Sequence, residues 1–99
     1  MAKNNPAEYA RTNSRLQAVF WDFPQFTDEV YLRSLLAQSN QDIYFWIMAR
    51  FLEYGRVIDT LRFFNINEIA ENLDKLNLKQ YNRNKWQRMV EIYADGERT

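Results

Sequence analysis

The sequence predicts an all-α fold, a compact single-domain bundle of about five short helices with an aromatic N-terminal segment wrapped over the core. Three observations carry that expectation. Only 2 glycines and 2 prolines punctuate the chain, too few for the tight turns of an all-β domain. Apolar residues recur at helical spacing along most of its length, and no stretch alternates with the period of a strand. With 46% hydrophobic and 16% aromatic residues in 99, there is apolar mass for one core and not for two.

The most apolar helix is expected from Ile43 to Gly55. At about 100° per residue, Ile43, Trp46, Ile47, Phe51 and Tyr54 fall on one side of it and Phe45, Met48 and Leu52 on nearly the opposite side. A helix apolar on two sides sits at the centre of a bundle. Ser39-Asn40 supplies its cap, with Asp42 in a capping-box position after Ser39, and Gly55 a left-handed stop.

The other elements follow in order. Residues 1–15 read as a polar tail in which Asn5-Pro6-Ala7-Glu8 resembles a helix start with a weak body behind it. Leu16 to Phe26 holds Val19, Phe20, Trp21, Phe23 and Phe26, too apolar to stand in water together, and Pro24 prevents one helix from running through. Two readings stay open for these rings, core filling and a partner-binding patch. Thr27 is the expected cap of the next helix, with Asp28 and Glu29 in its first turn and Val30, Tyr31, Leu32, Leu35 and Leu36 on its apolar face. Arg56 to Phe64 forms a short helix with Val57, Ile58, Leu61 and Phe64 inward. Asn65 and Glu68 form a capping box for a helix that buries Ile66, Ile69, Ala70, Leu73 and Leu76. A last helix from Leu78 to Tyr93 buries Leu78, Trp86, Met89, Val90 and Tyr93, and residues 95–99 are a frayed end.

Composition narrows the chemistry. Lys+Arg and Asp+Glu number 13 each, so no global field draws the protein to nucleic acid or an anionic membrane. Cysteine and histidine are both absent. Disulfides, Cys/His metal sites, a thiol nucleophile and an imidazole base are excluded with them. No apolar run approaches the roughly 20 residues of a membrane span, and the expected compartment is the cytoplasm. With no phosphate loop, nucleophile elbow or held carboxylate pair, the expectation is a protein that is not an enzyme and takes no cofactor.

Arg50 is out of keeping with the apolar side on which it falls. A guanidinium there needs a carboxylate, and Asp22 and Asp59 are the candidates, in a structural ion pair or as an arginine that reads an acidic partner. Lys75, Lys79, Arg83, Lys85 and Arg88 offer a nucleic-acid alternative, and the two helices around Asn65 invite a helix-turn-helix reading. Arg83 and Arg88 project about 140° apart, however, and Glu68, Glu71 and Asp74 line the would-be reading helix.

Phe20-Trp21-Asp22, Trp46, Arg50-Phe51-Leu52-Glu53-Tyr54-Gly55, Leu61 and Trp86 together resemble a family of small bacterial helical proteins of unknown function. These carry a Phe-Trp-Asp motif near the start, an Arg-x-aliphatic-Glu-x-Gly turn and a closing helix with a Trp. The resemblance spans about residues 16–93. It implies an antitoxin-like or accessory partner of a nucleotidyltransferase-like toxin of the abortive-infection type. Such proteins carry acidic residues and another aromatic soon after the motif, where this chain has Phe23-Pro24-Gln25-Phe26. A protein partner would be held by Trp21, Phe23, Phe26 and Tyr31 as anchors, with Arg33 or Arg56 at the rim. A structural homo-oligomer is a third reading.

Overall fold

The structure, a computed structural model, describes residues 15–94. The expected helix start at Asn5 and the frayed end at 95–99 lie outside them. Residues 15–19 are helical (α1) and lead through a turn into a 3-10 helix at Pro24–Thr27. Then come α2 (Glu29–Leu36), α3 (Gln41–Tyr54), α4 (Val57–Phe63), α5 (Ile66–Asn72) with a 3-10 turn at Leu73–Lys75, and α6 (Gln80–Tyr93). Among the described residues there is no strand, and no helix is long and apolar enough to cross a membrane.

The central position of α3 follows from its two apolar sides. It packs against α2, α4 and α6, and Ile47, Met48, Phe51 and Leu52 lose all contact with solvent. The aromatic segment does wrap this core. Leu16, Val19 and Phe20 are buried, and the Phe20 ring meets Phe51 edge-on at 5.9 Å and Phe26 at 5.4 Å. Pro24 starts the 3-10 turn, where its missing N–H costs no hydrogen bond, and Phe23 before it is pushed out of the helical region at φ −137°, ψ 78°. Trp46 and Tyr54, expected inside, stand partly in solvent, because the neighbours of α3 cover less than its full circumference.

The cap of α2 falls one residue from where the pattern placed it. Thr27 closes the 3-10 turn by donating its hydroxyl to the Pro24 carbonyl at 2.7 Å. The cap of α2 is therefore Asp28, whose carboxylate accepts from the N–H groups of Val30 and Tyr31. Asn40 caps α3 by accepting from Ile43 N–H at 3.1 Å, which leaves the Ser39/Asp42 box unused. The Asn65/Glu68 capping box forms as expected. Two caps come from outside their own helix. Glu53 of α3 accepts the Lys79 N–H at 2.6 Å and Asn82 Nδ2 at 2.8 Å, placing a carboxylate at the start of α6. Arg83 of α6 donates to the carbonyls of Leu73 (3.0 Å) and Leu76, filling the open end beyond α5.

Around Gly55 the expected left-handed stop is absent: φ −91°, ψ 159° is open to any residue. The glycine is there for space. A Cβ at Gly55 would lie 3.0 Å from the Phe51 carbonyl oxygen, 3.2 Å from Thr60 Oγ1 and 3.2 Å from Val19 Cγ2. The α3–α4 turn is pressed onto α1 at this point. Gly55→Ala should cost about 1–3 kcal/mol by overpacking, read as a lower urea midpoint with an unchanged slope. No loss would mean that the turn has slack.

The same tight turn sets the rotation of α4. Thr60, fully buried, donates its hydroxyl to the Arg56 carbonyl at 2.9 Å and reaches the Phe51 carbonyl at 3.4 Å, so a polar residue takes the inward place. Ile58 and Leu61, expected inside, point outward. At the far end, Leu78 lies before α6 rather than in it, and Tyr93 is exposed while Ala94 closes the last turn.

Candidate functional site

On one side of the bundle two sets of aromatic rings surround Arg50. Three elements build them: the 20–26 segment, bent outward by Pro24, Tyr31 of α2, and the 46–50–54 stripe of α3, whose residues share a helix face. Tyr31 stacks on Phe26 (5.9 Å, 5°), and Phe26 meets Phe23 at 5.9 Å and Trp46 at 5.6 Å. Phe23 stands edge-on to Trp46 at 5.3 Å, and Trp21 edge-on to Tyr54 at 4.7 Å. The Arg50 guanidinium joins the two halves. It lies 4.8 Å from the Trp21 ring, 5.1 Å from Tyr54, 5.5 Å from Trp46 and 5.7 Å from Phe23.

Arg50 is held from below as well. Its Nε and Nη2 donate to the Val19 carbonyl at 3.2 and 2.8 Å, and its two Nη groups grip both oxygens of Asp22. Of the two predicted partners, the structure pairs Asp22 with Arg50. Asp59 sits elsewhere, buried on α4, where Arg56 Nε reaches it at 2.8 Å and Arg15 at 3.8 Å. The Asp59 bond holds Arg56 in its charged form, above its ordinary pKa.

The predicted anchors come together. Trp21 is 57% exposed and Tyr31 43%, while Phe23 and Phe26 are half-buried between them. The predicted rim residues do not join them. Arg33 is drawn the other way by Glu29 (2.9 Å), the Arg62 carbonyl (3.4 Å) and the Phe63 ring beneath it (4.2 Å). Arg56 is engaged by Asp59. Sequence reading missed Trp46, 37% exposed, and Tyr54, 41% exposed, as members of this face. The signal was present in the i−4, i, i+4 spacing of Trp46, Arg50 and Tyr54, which places an aromatic on each side of a cation.

Beside the rings α3 is open. A groove of about 590 Å³ runs along it, with Phe45, Trp46 and Ala49 on the α3 side and Lys75, Leu76 and Lys79 opposite. A smaller one, about 280 Å³, lies between Tyr44, Phe63, Leu36 and Glu68. There the Tyr44 hydroxyl donates to Glu68; burial, and then that bond, push the phenol well above its ordinary pKa, so it remains a neutral donor. Of the basic residues of the nucleic-acid alternative, Lys75 and Lys79 line the larger groove together. Arg83 is spent on carbonyls, Lys85 lies over the Trp86 ring, Lys75 over Phe45, and Arg88 is exposed on α6.

No family model, curated protein or solved structure matches this chain.

Proposed function

We propose that this domain is a non-catalytic protein-binding module that presents the Arg50-centred aromatic face to a protein partner, in the role of an antitoxin-like or accessory subunit of a nucleotidyltransferase-like toxin. One observation carries the binding reading: Trp21, Tyr31, Trp46 and Tyr54 stand partly in solvent on a frame that Arg50 already fixes. Large rings that lose little rotamer freedom on docking are the side chains that dominate interface energetics. The toxin as partner class rests on the resemblance of the Phe20-Trp21-Asp22 and Arg50-to-Gly55 motifs.

The test uses the product of the adjacent gene as the probe, with affinity measured by calorimetry against the full chain. Trp21→Ala should weaken binding by about 30-fold or more, the level of a hot spot. The ring is more exposed than buried, so its removal should move the melting temperature by only a few degrees. An unchanged affinity combined with a large loss of stability would reduce Trp21 to a packing residue and end the reading.

A further inference from the structure

The outward face of α3 makes a second, more specific statement about the partner. Asp42, Phe45, Trp46, Ala49, Arg50 and Glu53 recur at steps of three and four residues, so they form one stripe, and all six line the groove of about 590 Å³. At about 1.5 Å per residue the stripe is roughly 16 Å long, three helical turns. Ala49 has the smallest side chain of the six, which lets another backbone come close. The groove continues the aromatic face, because Trp46, Arg50 and Tyr54 belong to both.

Charge around the groove is balanced but segregated. Arg50 is satisfied by Asp22, and Glu53 by the Lys79 N–H and Asn82. On the opposite wall Lys75 and Lys79 stand exposed, and neither ammonium has a carboxylate within ion-pair distance among the described residues. We propose that the groove receives an amphipathic helix of the protein partner, about three turns long, with its apolar stripe on Phe45, Trp46 and Ala49 and acidic residues along the edge that faces Lys75 and Lys79. This inference rests on the protein-binding reading above.

Two other occupants fit less well. An extended strand would find no sheet edge to pair its backbone among the described residues. For a nucleic-acid strand, Asp22, Asp42 and Glu53 offset Arg50, Lys75 and Lys79, so the surface offers a polyanion no net attraction.

The experiment is selection from a displayed library of helical peptides about 15 residues long against the full chain, with counter-selection against Ala49→Gln, a good helix former that fills the groove there. Enriched peptides should carry apolar residues at i, i+3 or i+4, and i+7, with Asp or Glu along one edge. The best clone should bind Ala49→Gln about tenfold or more weakly at an unchanged melting temperature. A Lys75→Glu, Lys79→Gln double variant should prefer the same clone with its acids replaced by Lys, a reversal that unfolding cannot produce.

Enriched clones without an acidic edge, or clones that bind wild type and Ala49→Gln alike, overturn the inference. So does oligo-dT that binds the wild type but not Ala49→Gln, which would assign the groove to nucleic acid. A dimer mass by light scattering that Ala49→Gln returns to monomer would assign it to a second copy of the chain, with the same consequence. The adjacent gene's product separates the two readings. Release by Trp21→Ala with indifference to Ala49→Gln removes the groove and keeps the aromatic face; the opposite pattern removes the face and keeps the groove.

Discussion

Trp86→Ala should lower the stability of the domain by about 3–5 kcal/mol, the largest loss expected of any single truncation here. Trp86 is the sole fully buried residue of α6, a helix otherwise rich in polar side chains, so this indole is the centre of that helix's docking, with Met89 and Val90 half-buried beside it. The ring does two things. Its apolar surface fills the space against α3, and its Nε1 donates to the Leu52 carbonyl at 3.1 Å. Leu52 lies in the last turn of α3, where carbonyls have no intrahelical donor, so the indole also caps the central helix. Trp86→Phe separates the two contributions. It keeps most of the volume and leaves the carbonyl unpaired in a dry site, at a cost of about 1–3 kcal/mol. Urea unfolding followed by far-UV circular dichroism measures both. Small domains have about 5–15 kcal/mol in total, so the alanine variant should be largely unfolded at moderate urea. A phenylalanine variant as unstable as the alanine one would mean that the hydrogen bond outweighs the packing.

Much of this architecture was legible because local signals agreed with the global arrangement. The spacing of Ile47, Met48, Phe51 and Leu52 marked the central helix, and the Asn65/Glu68 pair marked the start of α5. The misreadings have separate origins. Asp28 won its cap from Thr27 because a turn consumed the Thr27 hydroxyl, and of the Ser39-Asn40 pair it is Asn40 that caps α3, which leaves the Ser39/Asp42 box unused. Gly55 was read as a conformational glycine, and only the three-dimensional approach of Val19 and Thr60 reveals it as a spatial one. Apolar periodicity put Ile58 and Leu61 inside α4. Thr60 takes the inward place instead, because its hydroxyl finds an acceptor in the Arg56 carbonyl at the start of its own helix and so can be buried.

The surface site was legible in its parts more than in its extent. Arg50 was conspicuous as a charge on an apolar face, and a single look at the contacts decides between Asp22 and Asp59. Trp46 and Tyr54 were assigned to the core because hydrophobic pattern cannot tell a side that faces a neighbouring helix from one that faces an arginine and water. The rim failed for the opposite reason. Arg33 and Arg56 looked free in the sequence, and both are drawn to carboxylates three or four residues away, Arg33 also to the Arg62 carbonyl across a helix interface.

Arg50→Ala should cost about 2–4 kcal/mol of stability and, if the binding reading holds, most of the affinity for the partner, without Arg50 itself being the main contact. The guanidinium is only 14% exposed and holds three things at once. It satisfies the Val19 carbonyl, which sits at the end of the helical stretch 15–19, with two N–H groups; that loss alone accounts for about 1–3 kcal/mol. It grips Asp22, whose carboxylate is 40% exposed, so this pair is discounted to the range of about 0–1 kcal/mol found for solvated ion pairs. It also lies against four half-open rings, each contact adding a fraction of what a buried cation–π pair would. Arg50→Lys is the discriminating variant. An ammonium keeps the charge and the attraction to the rings but lacks the planar fork, so it reaches the Val19 carbonyl or Asp22 and not both. The expected outcome is partial recovery of stability, with tryptophan emission shifted to the red as Trp21 and Trp46 gain water, and with affinity still well below wild type. A lysine variant with wild-type stability, emission and affinity would show that the rings hold one another without the fork. The face would then owe its order to the Phe20, Phe23 and Phe26 packing beneath it.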